Sequence, residues 1–194
     1  MTADRDPKAA RRRIEAAFSP ELIGALGHHL ADRLAAHFEQ VEHSQGVVLN
    51  WAPPPPNVAL AHQTLDGPHL DPAAGATFAT ELKQRFGHLV EQMLTHGNNL
   101  HDPRYIGHQV PASSPIAALF DAVGSATNQV MAIYEMGPWA TAVERAVIEQ
   151  VGEVLGLTRG TFAGLITHGG TLANLTGLLT ARNVALGDAW ERGL

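Results

Sequence analysis

One strand-length apolar run, Phe162-Ala163-Gly164-Leu165-Ile166-Thr167, stands in a chain whose other apolar residues recur mostly at helical spacing. A short apolar run bounded by turn residues suits a buried strand, whereas repeats of three and four residues mark one face of a helix. Leu22, Leu26, Leu30 and Leu34 step by four, with Ile23, Phe38 and Val41 beside them. Ser19-Pro20-Glu21 opens that helix, with Ser as cap, Pro at the first helical position and an acid in the first turn. A second helix is expected over 73–96, carrying Phe78, Leu82, Phe86, Leu89, Val90 and Met93 and ending at Gly97-Asn98-Asn99. A third spans about Ile116 to Met131 and is rich in small residues. Thr141 with Glu144 three positions on has the form of a capping box. The helix behind it carries Val143, Val147, Ile148, Val151, Val154 and Leu155 and stops at Gly156. Leu172 to Leu186 is the last expected helix.

Between these elements the chain is punctuated. Residues 1–18 read as a polar, Ala-rich lead-in, loosely docked. Val47-Val48-Leu49 runs into Trp51-Ala52 and four prolines, Pro53 to Pro56. Proline neither donates to a sheet nor continues a helix, so 52–57 reads as an extended linker. Residues 101–116 read as loop, and no internal repeat is present.

Composition narrows the chemistry. The 194 residues include no cysteine, which removes disulfides, thiolate metal sites and thiol nucleophiles. The formal net charge is −6. A basic head (Arg5, Lys8, Arg11, Arg12 and Arg13 against Asp4 and Asp6) precedes an acidic body. That balance disfavours a phosphate backbone, so nucleic acid is not expected as a partner. No run approaches the about 18 apolar residues of a membrane span, and the N-terminus lacks a signal peptide's apolar core. The expected location is the cytoplasm, with no membrane partner. Charged residues make up 16%, against an ordinary share of about a quarter. This points to surfaces covered by another chain or by further chain of the same protein.

The chemistry concentrates where the apolar run meets the last helix. His168-Gly169-Gly170-Thr171 turns the chain directly into that helix. Glycines let the backbone approach a ligand closely, the first helical amides lack partners, and the helix dipole favours an anion there. Thr171 adds a hydroxyl. A phosphate is the natural occupant; a plain strand-to-helix turn has the same residues. The spacing is neither a Walker loop nor a GxGxxG fingerprint. Eleven histidines raise a metal site, but there is no HExxH. His62, His69, His96 and His101 have no carboxylate at ligand spacing, so no metal is expected. A serine–histidine pair (Ser113 or Ser114 with His108 or His168) has no GxSxG elbow and no acid placed to orient the base. Glu144 reads as a capping residue rather than a catalytic carboxylate. Trp51, Trp139 and Trp190 read as packing residues.

Three motifs in order, HDPRYIGHQVPASSP, IYEMGPWATAVERAVIEQVGEVLGL and LITHGGTLANLTGLLTAR, resemble the group II pyridoxal-phosphate-dependent amino acid decarboxylases. That family includes the aromatic-amino-acid, glutamate and histidine decarboxylases. The resemblance covers residues 98–194, and 19–97 fits the family's N-terminal helical segment more loosely. It implies an α/β fold: the N-terminal portion of the type I, aspartate-aminotransferase-like architecture. The part present would be mostly helical, with 162–167 as the first strand of the large-domain sheet. It implies a lead-in (1–18), a helical dimerisation segment (19–97, with the linker 52–57) and the start of the cofactor-binding domain (98–194).

The implied cofactor is pyridoxal 5′-phosphate, its phosphate held by Gly169, Gly170 and Thr171. His108 and Gln109 fall where relatives line the substrate pocket, and Tyr134 is a further pocket candidate. The family's lysine that binds the cofactor would lie beyond residue 194, so no catalytic residue is assigned. The chain alone is then expected to be inactive. Its implied partners are a small L-amino acid and either a second copy or a complementing C-terminal polypeptide. Two other readings stay open: a non-catalytic fragment that only dimerises, and another activity on the same fold, such as transamination.

Overall fold

A computed structural model describes residues 7–67 and 70–193. Asp4, Arg5 and Asp6 of the basic head and His69 lie outside the described residues, as does the side chain of Trp190. The chain divides into two compact units, Met1–Ser114 and Pro115–Leu194. The loop 98–114 therefore groups with the first unit.

The first unit is built on two long helices, α2 (Pro20–Glu42) and α4 (Ala76–His96), preceded by α1 (Pro7–Ala17). Ser19 caps α2 as its sequence requires, its hydroxyl accepting from the Leu22 amide at 3.3 Å. The lead-in is more ordered than its composition suggests. Alanines and an Arg11–Glu15 pair one helical turn apart (2.9 Å) support α1, and Ala9 is buried.

The prolines also differ from expectation. Trp51 to Pro53 are irregular, but Pro54–Leu65 forms α3. Pro53 sits at the cap with φ −56° and ψ 149°, and Pro54, Pro55 and Pro56 fill the first turn. Amides there have no intrahelical acceptor, so prolines lose nothing by lacking them. The run begins a helix instead of bridging one.

α2 and α4 run parallel. His29 lies over Gly87, whose missing Cβ leaves room for the ring, and it meets Phe86 edge-on at 6.5 Å. Four residues further along each helix, Arg33 pairs with Glu91. Parallel helices need a connection that returns the full length of the pair, and residues 43–75, including α3, supply it.

The second unit contains α5 (Pro115–Thr127), α6 (Pro138–Val154) and α7 (Gly170–Leu186). α5 stops four residues short of the expected end, where Asn128 takes the left-handed conformation (φ +47°). α6 ends as its sequence implies. Gly156 has φ +86°, and the Leu157 amide donates back to the Gly152 carbonyl at 2.9 Å, the Schellman arrangement. Its start departs from expectation. Pro138 at the first helical position begins α6 behind Gly137, so Thr141 lies inside the helix and donates to the Gly137 carbonyl at 2.8 Å. No capping box forms.

The expected α/β architecture is not what the chain shows. Among the described residues there is no strand and no sheet, and 162–167 is a single segment lying along α6. Phe162 rests on Gly152, where a Cβ would collide with its ring. A Cβ on Gly164 would stand 3.0 Å from the Ile148 side chain. The Ile166 amide donates to Glu144 Oε1 at 2.8 Å. Two residues of the segment thus match four of the helix, running antiparallel. Two extended residues rise about 6.6 Å and four helical ones about 6 Å, so the spacings agree. The run has a strand's length and apolar character, but a strand also needs a neighbour to take its amides and carbonyls, and a helix carboxylate takes one of them instead.

Candidate functional site

Gly169 is where the chain leaves the α6 surface and enters α7. Its φ of +88° with ψ 167° is open to glycine and strained for any other residue. The Gly169 amide donates to the Thr167 carbonyl at 2.9 Å, and Thr167 Oγ1 donates to the Gly169 carbonyl at 3.1 Å. These two bonds tighten the turn. α7 then begins at Gly170 with no side-chain cap. The first amides of the helix, on Gly170, Thr171 and Leu172, therefore have no helical acceptor. A Cβ placed on Gly169 or Gly170 would meet nothing within 4 Å, so the space above the turn is open. An uncapped helix N-terminus with a hydroxyl at its second position is the donor set a phosphate requires. The residues present fit the phosphate end of the implied cofactor.

Beside this turn the second unit has a cleft of about 900 Å³. Its walls include Phe120 and Val123 of α5 and Trp139 and Val143 of α6, and Thr167 and His168 stand at its edge. Glu144 also lines it, but its carboxylate is engaged by the Ile166 amide. Glu144 thus neither caps a helix nor stands unattached; it fixes the approach to the turn.

The structure brings Gly169, Gly170 and Thr171 together on one turn and His108 with Gln109 on another. His108 and Gln109 are exposed at a tight turn in which the Val110 amide donates to the His108 carbonyl at 2.7 Å. They line a shallow hollow with Leu100 and Tyr105. Tyr134 opens the 3₁₀ turn Tyr134–Met136 in the second unit and is exposed. The two lysines, Lys8 and Lys83, lie in α1 and α4. Among the described residues no three histidines, aspartates or glutamates are grouped to hold a metal ion. No helix among them is long and apolar enough to cross a membrane.

Sequence reasoning passed over the clasp at the start of the 101–116 loop. Asp102 is 3% exposed. Its Oδ1 accepts from the Arg104 backbone amide at 2.8 Å and from Arg104 Nε at 2.9 Å, and its Oδ2 accepts from Nη2 at 2.8 Å. Arg104 also reaches the Gly46 carbonyl at 3.3 Å. The guanidinium hydrogen bond pulls the Asp102 carboxyl from 3.8 to about 2, overcoming the opposing effect of burial. The signal available was Asp-Pro-Arg itself, an acid and a base two residues apart around a proline. Nearby, His37 is held below the ordinary histidine range, chiefly by burial and then by His101 and Arg33, with Glu91 opposing.

Over more than half its length the chain is similar to amino acid decarboxylases. One is the L-2,4-diaminobutyrate decarboxylase of Acinetobacter baumannii, 26% identical over 110 residues, which are 57% of this chain and 21% of that protein. Another is the L-aspartate decarboxylase dtxS4 of Metarhizium robertsii, 23% identical over 106 residues, 55% of this chain and 21% of that protein. The matches thus span about a fifth of the length of these curated relatives. No family model matches the chain, and no solved structure matches it.

Proposed function

We propose that this chain supplies the phosphate-holding part of a pyridoxal-phosphate-dependent L-amino acid decarboxylase of the group II kind. The observation that carries the reading is the uncapped start of α7 behind Gly169, in a chain similar to amino acid decarboxylases. When bound, pyridoxal phosphate supplies an electron-withdrawing ring that takes up the electron pair left as the α-carboxylate departs as carbon dioxide. This chain's part is to bind and orient. The amides of Gly170, Thr171 and Leu172 donate to the phosphate oxygens, and the Thr171 hydroxyl adds a further donor. Gly169 holds the turn open. His108 and Gln109 contact the substrate's carboxylate or side chain, and Tyr134 lines the pocket of the neighbouring subunit. The assembled enzyme works in the cytoplasm as a homodimer or with a complementing polypeptide.

Two measurements test this. The protein should bind pyridoxal 5′-phosphate at least about tenfold more tightly than pyridoxal, a difference of about 1.4 kcal/mol. Equal affinity removes the phosphate site from the account. With L-amino acids labelled at the carboxyl carbon, the assembled enzyme should release the label as carbon dioxide. Label retained in a keto acid would replace decarboxylation with transamination.

A second reading, a module whose business is association, is favoured by one observation. Phe120, Trp139, Val154 and Val184 of the second unit are all more than three-quarters exposed, and uncovered apolar faces of this kind mark interaction surfaces. Light scattering on the purified chain distinguishes the two: association without any phosphate preference would leave the second reading alone.

A further inference from the structure

The loop after α4 has neither helix nor strand up to α5, yet its two ends are tied together. His101 Nε2 lies 2.8 Å from the Ser113 carbonyl oxygen. A carbonyl only accepts, so Nε2 carries the hydrogen, and in the neutral ring Nδ1 is bare. The same ring meets Phe38 of α2 edge-on, with centroids 4.9 Å apart and planes at 79°. Phe38 in turn meets His37 edge-on at 5.4 Å. The backbone on either side of His101 is also anchored. The Asn99 amide donates to the Val48 carbonyl at 2.9 Å, and the Asp102–Arg104 clasp reaches Gly46. His101 is therefore a fixed post, and Ser113 is what it holds. The closed span has the size of an Ω-loop, a surface loop whose ends are close and whose middle carries function. His108 and Gln109 stand near its midpoint.

We infer that His101 is a positioning residue: by packing on Phe38 and donating to the Ser113 carbonyl it closes loop 101–113 and sets where His108 and Gln109 stand. The closure rests on the geometry of the first unit alone. Its consequence for a substrate rests on the proposed function, which assigns those two residues to the pocket.

The test separates ring, donor and fold. His101→Phe keeps an aromatic ring against Phe38 but has no donor. His101→Gln places an amide nitrogen near the position of Nε2. Chymotryptic cleavage after Tyr105 reads how often the loop opens. The expected result is cleavage about five- to tenfold faster in His101→Phe, the effect of losing one hydrogen bond, and close to the original rate in His101→Gln. Circular dichroism melts of both variants should stay close to the original. In ¹⁵N spectra of the unaltered protein at neutral pH, the His101 ring should carry its hydrogen on Nε2. A ring with its hydrogen on Nδ1 would overturn the inference, as would a His101→Phe loop as resistant as the original. Faster cleavage throughout α2 and α4 would equally overturn it, by showing general unfolding. His108→Ala should leave the Tyr105 cleavage rate unchanged, so a loss of ligand affinity there judges the pocket and not the post.

Discussion

The two units use similar helices and hold them in different ways. In the first, side chains reach across between elements: Arg33 to Glu91, Arg85 to the Leu65 carbonyl, and Arg104 to Asp102 and Gly46. Its buried side chains, Ala9, Val41 and Asp102, are the buried apolar and charged side chains among the described residues. Among the described residues of the second unit, the tertiary fastening runs along one helix: the segment 162–166 lies on α6, Arg159 just before it pairs with Glu149 and Glu153, and the apolar faces of α5 and α6 stand open. Amphipathic pattern alone does not make a core; the difference lies in whether a neighbour is present to receive the face.

Hydrogen exchange breaks or sustains this contrast most broadly. Amides at the centres of α2 and α4 should exchange more slowly than those of α5 and α7 by about a hundredfold, since protection follows buried contact. Equal protection would mean that the second unit is covered under the conditions of the measurement.

Within the second unit, Gly152 is the point to strike. Gly152→Val puts methyl groups where Phe162 lies and should destabilise by about 1–3 kcal/mol, the range for overpacking. It should also release the segment 162–166. Adding Phe162→Ala should restore part of the loss. Additive effects of the two changes would show that the segment does not sit on α6.

In the first unit, acid tests the clasp. The folded Asp102 carboxyl lies at about 2, below its ordinary 3.8. A depressed carboxylate contributes stability above its unfolded value and loses it as pH falls through the folded one. Resistance of the 102–105 stretch to proteolysis should therefore stay level from pH 7 to about 4 and fall between about 4 and 2. Asp102→Asn should be less resistant at neutral pH and lack that acid step.

The smallest expected effect is at a cap. Ser19→Ala removes the acceptor for the Leu22 amide and should lower stability by about 1 kcal/mol, read as a shift in the thermal midpoint with α2 otherwise intact.

Much of the first unit was legible because its signals are local. Ser19-Pro20-Glu21 opens α2, and Gly97 closes α4 where the chain turns extended. What escaped depends on partners far along the chain or on competition between signals. Glu144 looked like a capping residue because Thr141 stood three positions before it, but Pro138 starts α6 earlier and leaves the carboxylate to Ile166, twenty-two residues on. The run 162–167 has a strand's length and apolar character, and nothing in it could tell that its even-numbered residues would meet a helix instead of a sheet. The prolines at 54–56 were misjudged from the habit of proline inside helices, when the first turn is where proline is tolerated. The turn at Gly169 was legible as a turn and as a helix start; its left-handed φ and the open space above it belong to the folded chain.

The proposed function requires the start of α7 to take a phosphate. Titrating ¹⁵N-labelled protein with pyridoxal 5′-phosphate, and separately with inorganic phosphate, should produce saturable amide shifts centred on Gly170, Thr171 and Leu172. Gly170→Asp should abolish them while leaving α7 at least as helical, since a carboxylate suits a helix N-terminus yet repels an anion. Shifts centred elsewhere, such as around Lys83, or shifts that survive in Gly170→Asp, would contradict it.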